Sequence, residues 1–180
     1  MDYYIIFSGI IEQNFSIRLF NAITNAPKLN IDHINLFFSS LGGDVNEGFL
    51  LASVIQNSKV PITMHAYNNI DSIGNVIYLA AKERTAESYA KFYLHGALSP
   101  AVPFYEKGLI EQLSSVRAGN NRIAHFVSEH SNIPLPKVQS MMGIGTTLSA
   151  QEALGLNMVQ NIVHKEVPQS VPREEIIFIN

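Results

Sequence analysis

Ile34-Asn35-Leu36-Phe37-Phe38-Ser39-Ser40-Leu41-Gly42-Gly43-Asp44-Val45 packs a short apolar run, a glycine turn and the first residues of a helix into one stretch. Ile34 to Phe38 reads as a buried strand, and the small residues from Ser39 to Gly43 stop it. Asp44 is placed to cap the helix that follows, where Val45, Phe49, Ala52 and Ile55 share one apolar face. A strand that runs through a glycine turn into a helix is the repeating step of an α/β protein with a parallel sheet.

The same step recurs on both sides. Tyr3 to Ile11 is rich in β-branched and aromatic residues and reads as a strand. Phe15, Leu19, Phe20 and Ile23 then recur at helical spacing up to Ala26-Pro27. Pro61 to Ala66 predicts another strand, and the polar turn Asn68 to Ser72 leads into a helix over Ile73 to Ala81. Ala86 to Leu94 reads as a strand pair or one bent strand that delivers His95. From Phe104 to His130 the pattern is one long helix. Its stripe of Leu109, Leu113, Val116, Asn120, Ile123 and Val127 has the period of a seam against another helix, and it fits a core-facing helix equally well. Ala150 to Leu154 is a further helical stretch and Met158 to His164 a strand. The expected organisation is one domain over residues 1–166 and an extended tail over residues 167–180, with Pro168 and Pro172 in it.

Composition narrows the function classes. A chain of 180 residues can bury a core without staples. Hydrophobic residues make up 47% and charged residues only 15%, and a charge-poor surface goes with subunit association. The net charge of −3 gives no reason to expect nucleic acid or an anionic membrane as partner. Cys 0 removes disulfides, thiolate metal sites and thiol nucleophiles, and it fits a reducing, cytoplasmic setting. No signal peptide is expected at the N-terminus, and no run reaches the roughly 20 apolar residues of a membrane span. No metal or cofactor is expected.

Acyl-transfer hydrolysis needs a nucleophile, a base and donors for the oxyanion. Ser72 stands at a turn-to-helix junction, where the first helical N–H groups favour developing negative charge. Gly42-Gly43 is a second such turn, bare enough to approach a substrate and aim an N–H at it. Two turns at the carboxyl ends of adjacent parallel strands face one crevice. Taken singly, each has a plainer reading: the serine is a helix cap, the glycines are a turn, and His95 is a structural histidine. The combination carries the chemistry.

Several segments together resemble the Clp protease proteolytic subunit family. Ser39-Ser40-Leu41-Gly42-Gly43-Asp44-Val45 resembles its glycine turn, usually Asn-Ser-Pro-Gly-Gly-x-Val. Asp71-Ser72-Ile73-Gly74 is similar to its Ala-Ser-Met-Gly nucleophile segment, and Phe92-Tyr93-Leu94-His95 to the strand that ends in its catalytic histidine. Leu148-Ser149-Ala150-Gln151-Glu152-Ala153 and Phe7-Ser8-Gly9-Ile10 resemble two further segments, in order along the chain. The resemblance implies an α/β fold of the ClpP and crotonase-like kind, built from β-β-α units with a protruding "handle" helix. It implies a serine peptidase acting on peptides or unfolded polypeptides, with Ser72 as nucleophile and His95 as base. It also implies backbone N–H groups of Gly43 and Ile73 as the oxyanion hole, and a homo-oligomer of rings joined through the helix at residues 104–130.

The sequence departs from that pattern at one decisive place. Counting back from Leu148-Ser149-Ala150, the family's catalytic aspartate falls near Met141, and no carboxylate is there. Loss of the third member of a Ser-His-Asp triad can lower turnover roughly 10⁴-fold. Ser140, a backbone carbonyl or Glu106 are the candidates for orienting His95 in its place. A catalytically weak or inactive scaffold or regulatory subunit is therefore the alternative reading. Asp71, where the family has a small residue, is expected to cap the helix after Ser72. The chain begins almost at its first strand, so a standard partnership with an ATP-driven unfoldase is not expected. A crotonase-like enzyme acting on an acyl thioester is a weaker third reading, since no adenine-binding signal accompanies the glycine turn.

Overall fold

The computed structural model describes residues 1–98, 105–169, 171 and 173–177. The expected helix start at Phe104, Pro172 and the last residues of the tail lie outside the described residues. Eight strands form one sheet: β1 (Asp2–Ile11), β2 (His33–Gly43), β3 (Ile62–Asp71), β4 (Glu83–Ala86), β5 (Lys91–Leu94), β6 (Thr146–Ser149), β7 (Asn161–Ile162) and β8 (Arg173–Ile177). The order across it is β6-β5-β3-β2-β1-β8, with β4 paired to β3 and β7 to β4. Every pairing is parallel except β5 with β6. The helices are α1 (Gln13–Asn25), α2 (Val45–Gln56), α3 (Gly74–Leu79), α4 (Glu106–Glu129), α5 (Leu135–Ile144) and α6 (Ala150–Gly155).

Period-two alternation builds the core side of this sheet. Ile5 and Phe7, Ile34, Leu36 and Phe38, then Met64 and Ala66 occupy one face and are fully buried. Leu19 and Ile23 from α1, Leu51 and Ile55 from α2, and Val76 and Ile77 from α3 complete the same cluster. The opposite face is polar yet covered around β3 and β4. There His65 and Glu87 are buried and bonded at 3.2 Å, and Glu87 also accepts from His164 Nδ1 and the Lys165 N–H. The segment after β7 is thus tied down by charge-assisted bonds rather than by apolar contact. Burial alone would push the Glu87 carboxyl up, and the donors around it outweigh that and hold it below its ordinary value.

Two strands are longer than their apolar runs predict. β2 continues through Gly43, and β3 continues through Asn68-Asn69-Ile70-Asp71, which reads as a turn from hydropathy. The extension follows from pairing: β3 hydrogen-bonds β4 over Thr63 to Ala66, then passes to β5 over Asn69 to Asp71. This handover sets the end of β3 beside the end of β5. The Ala86 to Leu94 segment is accordingly a strand pair, β4 and β5, on that one strand. The final predicted strand contracts to Asn161–Ile162, with Met158 and Val159 buried before it.

The long helix divides its stripe. Ile123 and Val127 are buried in the core, whereas Leu109 and Leu113 are 45% and 50% exposed. No helix among the described residues is long and apolar enough to cross a membrane.

Candidate active site

Ser72 follows the last residue of β3 with a positive φ of 56°, a conformation that costs a residue with a Cβ about 1–3 kcal/mol. Hydrogen bonds from three sides hold it there. Its N–H donates to Tyr93 O at 2.8 Å, and its carbonyl accepts from the Asn75 N–H at 3.1 Å. The fully buried Asn75 amide donates to Ile70 O, Ser72 O and Tyr93 O at 3.0, 3.1 and 2.9 Å. One side chain therefore staples the end of β3, the serine turn and β5. Sequence reading missed it, and the signal available was an asparagine inside an apolar helix. Asn75→Ala leaves three carbonyls without that donor, and a loss of about 1–3 kcal/mol is expected in a urea-unfolding midpoint measurement.

The N-cap position of α3 is Ile73, with no side-chain cap bond. Asp71 does not cap this helix, because it is the last residue of β3 and not part of the helix entry. Ser72 is not a cap either, which removes the plainest alternative for it. The Ile73 N–H donates to no backbone acceptor among the described residues.

The glycine turn lies directly against this serine. Gly42 and Gly43 have φ of 91° and 148°. A Cβ on Gly42 would stand 2.6 Å from Ser72 Cβ and 3.3 Å from its Oγ. The turn is anchored behind by Asp44, whose N–H donates to Ile11 O at 2.8 Å. Asp44 Oδ1 accepts from the N–H groups of Asn46 and Glu47 at 2.8 and 2.9 Å, so the expected cap of α2 is present.

His95 leaves β5 beside the same edge. Its Nδ1–H donates to Gly96 O at 2.7 Å, which follows because a carbonyl can only accept. The Tyr93 ring stacks on the imidazole with centroids 4.8 Å apart. Asn120, from the middle of the α4 stripe, accepts the Ala97 N–H at 2.6 Å and fixes the loop after the histidine. Of the three candidates for orienting the ring, the backbone carbonyl is the one bonded to it. Neither Ser140 nor Glu106 is hydrogen-bonded to it, and Met141 is buried in α5. Ser72 Oγ and the imidazole are not hydrogen-bonded to each other. Asp71 stands within electrostatic reach: burial raises its pKa, and His95 pulls it back down.

A cleft of about 570 Å³ runs between the glycine turn and α4, lined in part by Gly43, Asp44, Ala97, Gly119 and Arg122. A second cavity of about 370 Å³ lies beside Gly96, lined also by Arg117, Asn120, Gln139 and Met142 among others. The Nδ1 bond leaves the imidazole Nε2 without a hydrogen bond among the described residues.

The family model described as Clp protease matches residues 2–166. The ATP-dependent Clp protease proteolytic subunit 2 of Treponema pallidum (strain Nichols) is 21% identical over 168 residues, covering 89% of this chain and 82% of that relative. A solved structure of a ClpP1 mutant from Listeria monocytogenes has the same fold, with a TM-score of 0.81 at 19% identity, covering 90% of this chain and 91% of the other.

Proposed function

Because the chain belongs to the Clp protease family, we propose that it is a serine peptidase that hydrolyses peptides or unfolded polypeptides at Ser72. In this reading His95 Nε2 takes the Ser72 proton as Oγ attacks the scissile carbonyl. The N–H groups of Gly43 and Ile73 receive the oxyanion, and the imidazolium returns the proton to the leaving amine. The acyl-enzyme is then hydrolysed by water, with His95 again as base. Gly96 O does for Nδ1–H what a carboxylate does in a triad: it fixes the tautomer and the ring plane. It brings no negative charge to the imidazolium. The observation that carries the proposal is the strained Ser72 turn, packed against Gly42 and bonded to the strand that delivers His95.

The exposed half of the α4 stripe supports self-association through the helix at residues 104–130. Leu109, Ile110 and Leu113 are each at least 45% exposed on a surface that must otherwise face water.

A second reading, a catalytically silent scaffold or regulatory subunit, is favoured by two observations. Ser72 Oγ is not bonded to His95, and Met141 stands where the resemblance asks for an acid. A fluorophosphonate probe separates the two. The peptidase reading expects one covalent adduct, mapped by mass spectrometry to Ser72 and lost in Ser72→Ala. An assembled, folded sample with no adduct would leave the silent subunit.

A further inference from the structure

Ser72 is preceded by an acid that the helix does not use. The pairing of β3 with β5 sets Ile70 opposite Phe92 and Asp71 opposite Tyr93. Ile70 and Phe92 are fully buried in the core, so strand alternation puts Asp71 and Tyr93, and His95 two residues on, on the opposite face. The stacked Tyr93 and His95 rings stand on that face. Asp71 is half-buried, and its carboxylate makes no hydrogen bond among the described residues.

Meanwhile the imidazole is held by a neutral carbonyl. An imidazolium formed during acyl transfer would have no anionic partner at Nδ1. We propose that Asp71 supplies that missing negative charge through space, as a positioning residue that stabilises the His95 imidazolium from the neighbouring strand. The inference rests on the peptidase reading for its catalytic consequence. The coupling between Asp71 and His95 supports it from the acid's side: the histidine lowers a carboxyl pKa that burial raises. A carboxylate on the face that carries the imidazole attracts a positive charge formed there.

The other charged and titratable groups around the ring do not take this part. Tyr93 is on the same strand and stacks its ring on the imidazole. Arg117 of α4, which lines the cavity beside Gly96, is a cation and opposes an imidazolium. Gln139 of α5 and Asn120 of α4 carry no charge.

Asp71→Asn removes the anion and keeps the shape, so His95 should protonate only at lower pH. The acid limb of the kcat/KM profile should move by about one pH unit towards acid, and the plateau should fall roughly tenfold. Asp71→Glu should restore the limb of the parent. A merely structural role for Asp71 would lower the plateau and leave the limb where it was, which would overturn the proposal.

A second readout does not need turnover. The assembled chain with ¹³C-labelled histidine, its His95 signal assigned with His95→Gln, gives the titration of this ring by NMR. A midpoint that moves to lower pH in Asp71→Asn supports the coupling, and a midpoint equal to the parent's overturns it. If the parent neither labels at Ser72 nor cleaves peptide, the peptidase reading falls and takes the catalytic role of Asp71 with it. The NMR midpoint still decides whether the two groups are coupled.

Discussion

Gly43→Ala should lose at least about 3 kcal/mol of stability, measured as the shift in a urea midpoint with the slope unchanged. Two effects add. The φ of 148° is one that an L side chain rarely adopts. A Cβ there would also stand 2.1 Å from Ile11 O and 2.7 Å from Ile11 N, both backbone atoms of the neighbouring strand. No rotamer change relieves a clash with backbone, so β1 and β2 must separate where the turn begins. That separation would also move the N–H assigned to the oxyanion, and Ser72 labelling should fall with stability. Gly143→Ala is the control. It lies in α5 with nothing within 4 Å of a Cβ, and alanine there should be neutral or stabilising by up to about 1 kcal/mol. Equal midpoints for Gly43→Ala and the parent would mean that the turn is not clamped between Ile11 and Ser72.

The stretch around that glycine was readable because its signals are local. An apolar run, a pair of glycines and a capping aspartate each act within a few residues, and the structure has Asp44 bonded to the first N–H groups of α2. The long helix was readable for the same reason, since its period repeats over many turns. The limits of β2 and β3 were not, because Ser39 to Gly43 and Asn68 to Asp71 are strand only through their partners. Hydropathy does not report backbone pairing. α5 was not assigned although Val138, Met141 and Met142 fall at helical spacing, since Pro134, Pro136, Gly143 and Gly145 surround them with residues that disfavour a helix interior. The capping box of Ser149 and Glu152 stood in the open as Ser-x-x-Glu before α6.

The candidate site divides along the same line. Ser72, His95 and the glycines were visible as residue types at the ends of strands. The features that make them a site come from distant segments meeting: the Asn75 clamp on three carbonyls, and the Gly42 backbone against the Ser72 side chain. The partner of His95 Nδ1 was legible only as one of three candidates, a backbone carbonyl, and not as Gly96 O. Every residue carries a main-chain carbonyl, so the sequence has no letter that singles out the one the imidazole meets. Asp71 was misjudged as a cap because adjacency to a helix start suggested one, whereas the strand carries through it.

Ser72→Ala and His95→Ala should each lower kcat/KM for a fluorogenic peptide by roughly 10³-fold or more, and the double variant should lose no more than the worse single one. The reason is that the serine and the histidine act as one unit: without the imidazole the hydroxyl is not a nucleophile, and without the hydroxyl the imidazole has no proton to move. Additive losses would point to two separate functions for these residues. Ser72→Ala should keep the parent's urea midpoint within about 0.5 kcal/mol, because Ser72 Oγ holds none of the bonds that build its turn. Those bonds come from its own N–H and carbonyl and from the Asn75 amide. Relieving nothing at φ 56°, alanine keeps the strain that serine had. A stable, assembled Ser72→Ala chain that still cleaves peptide at the parent's rate would assign the hydrolysis elsewhere.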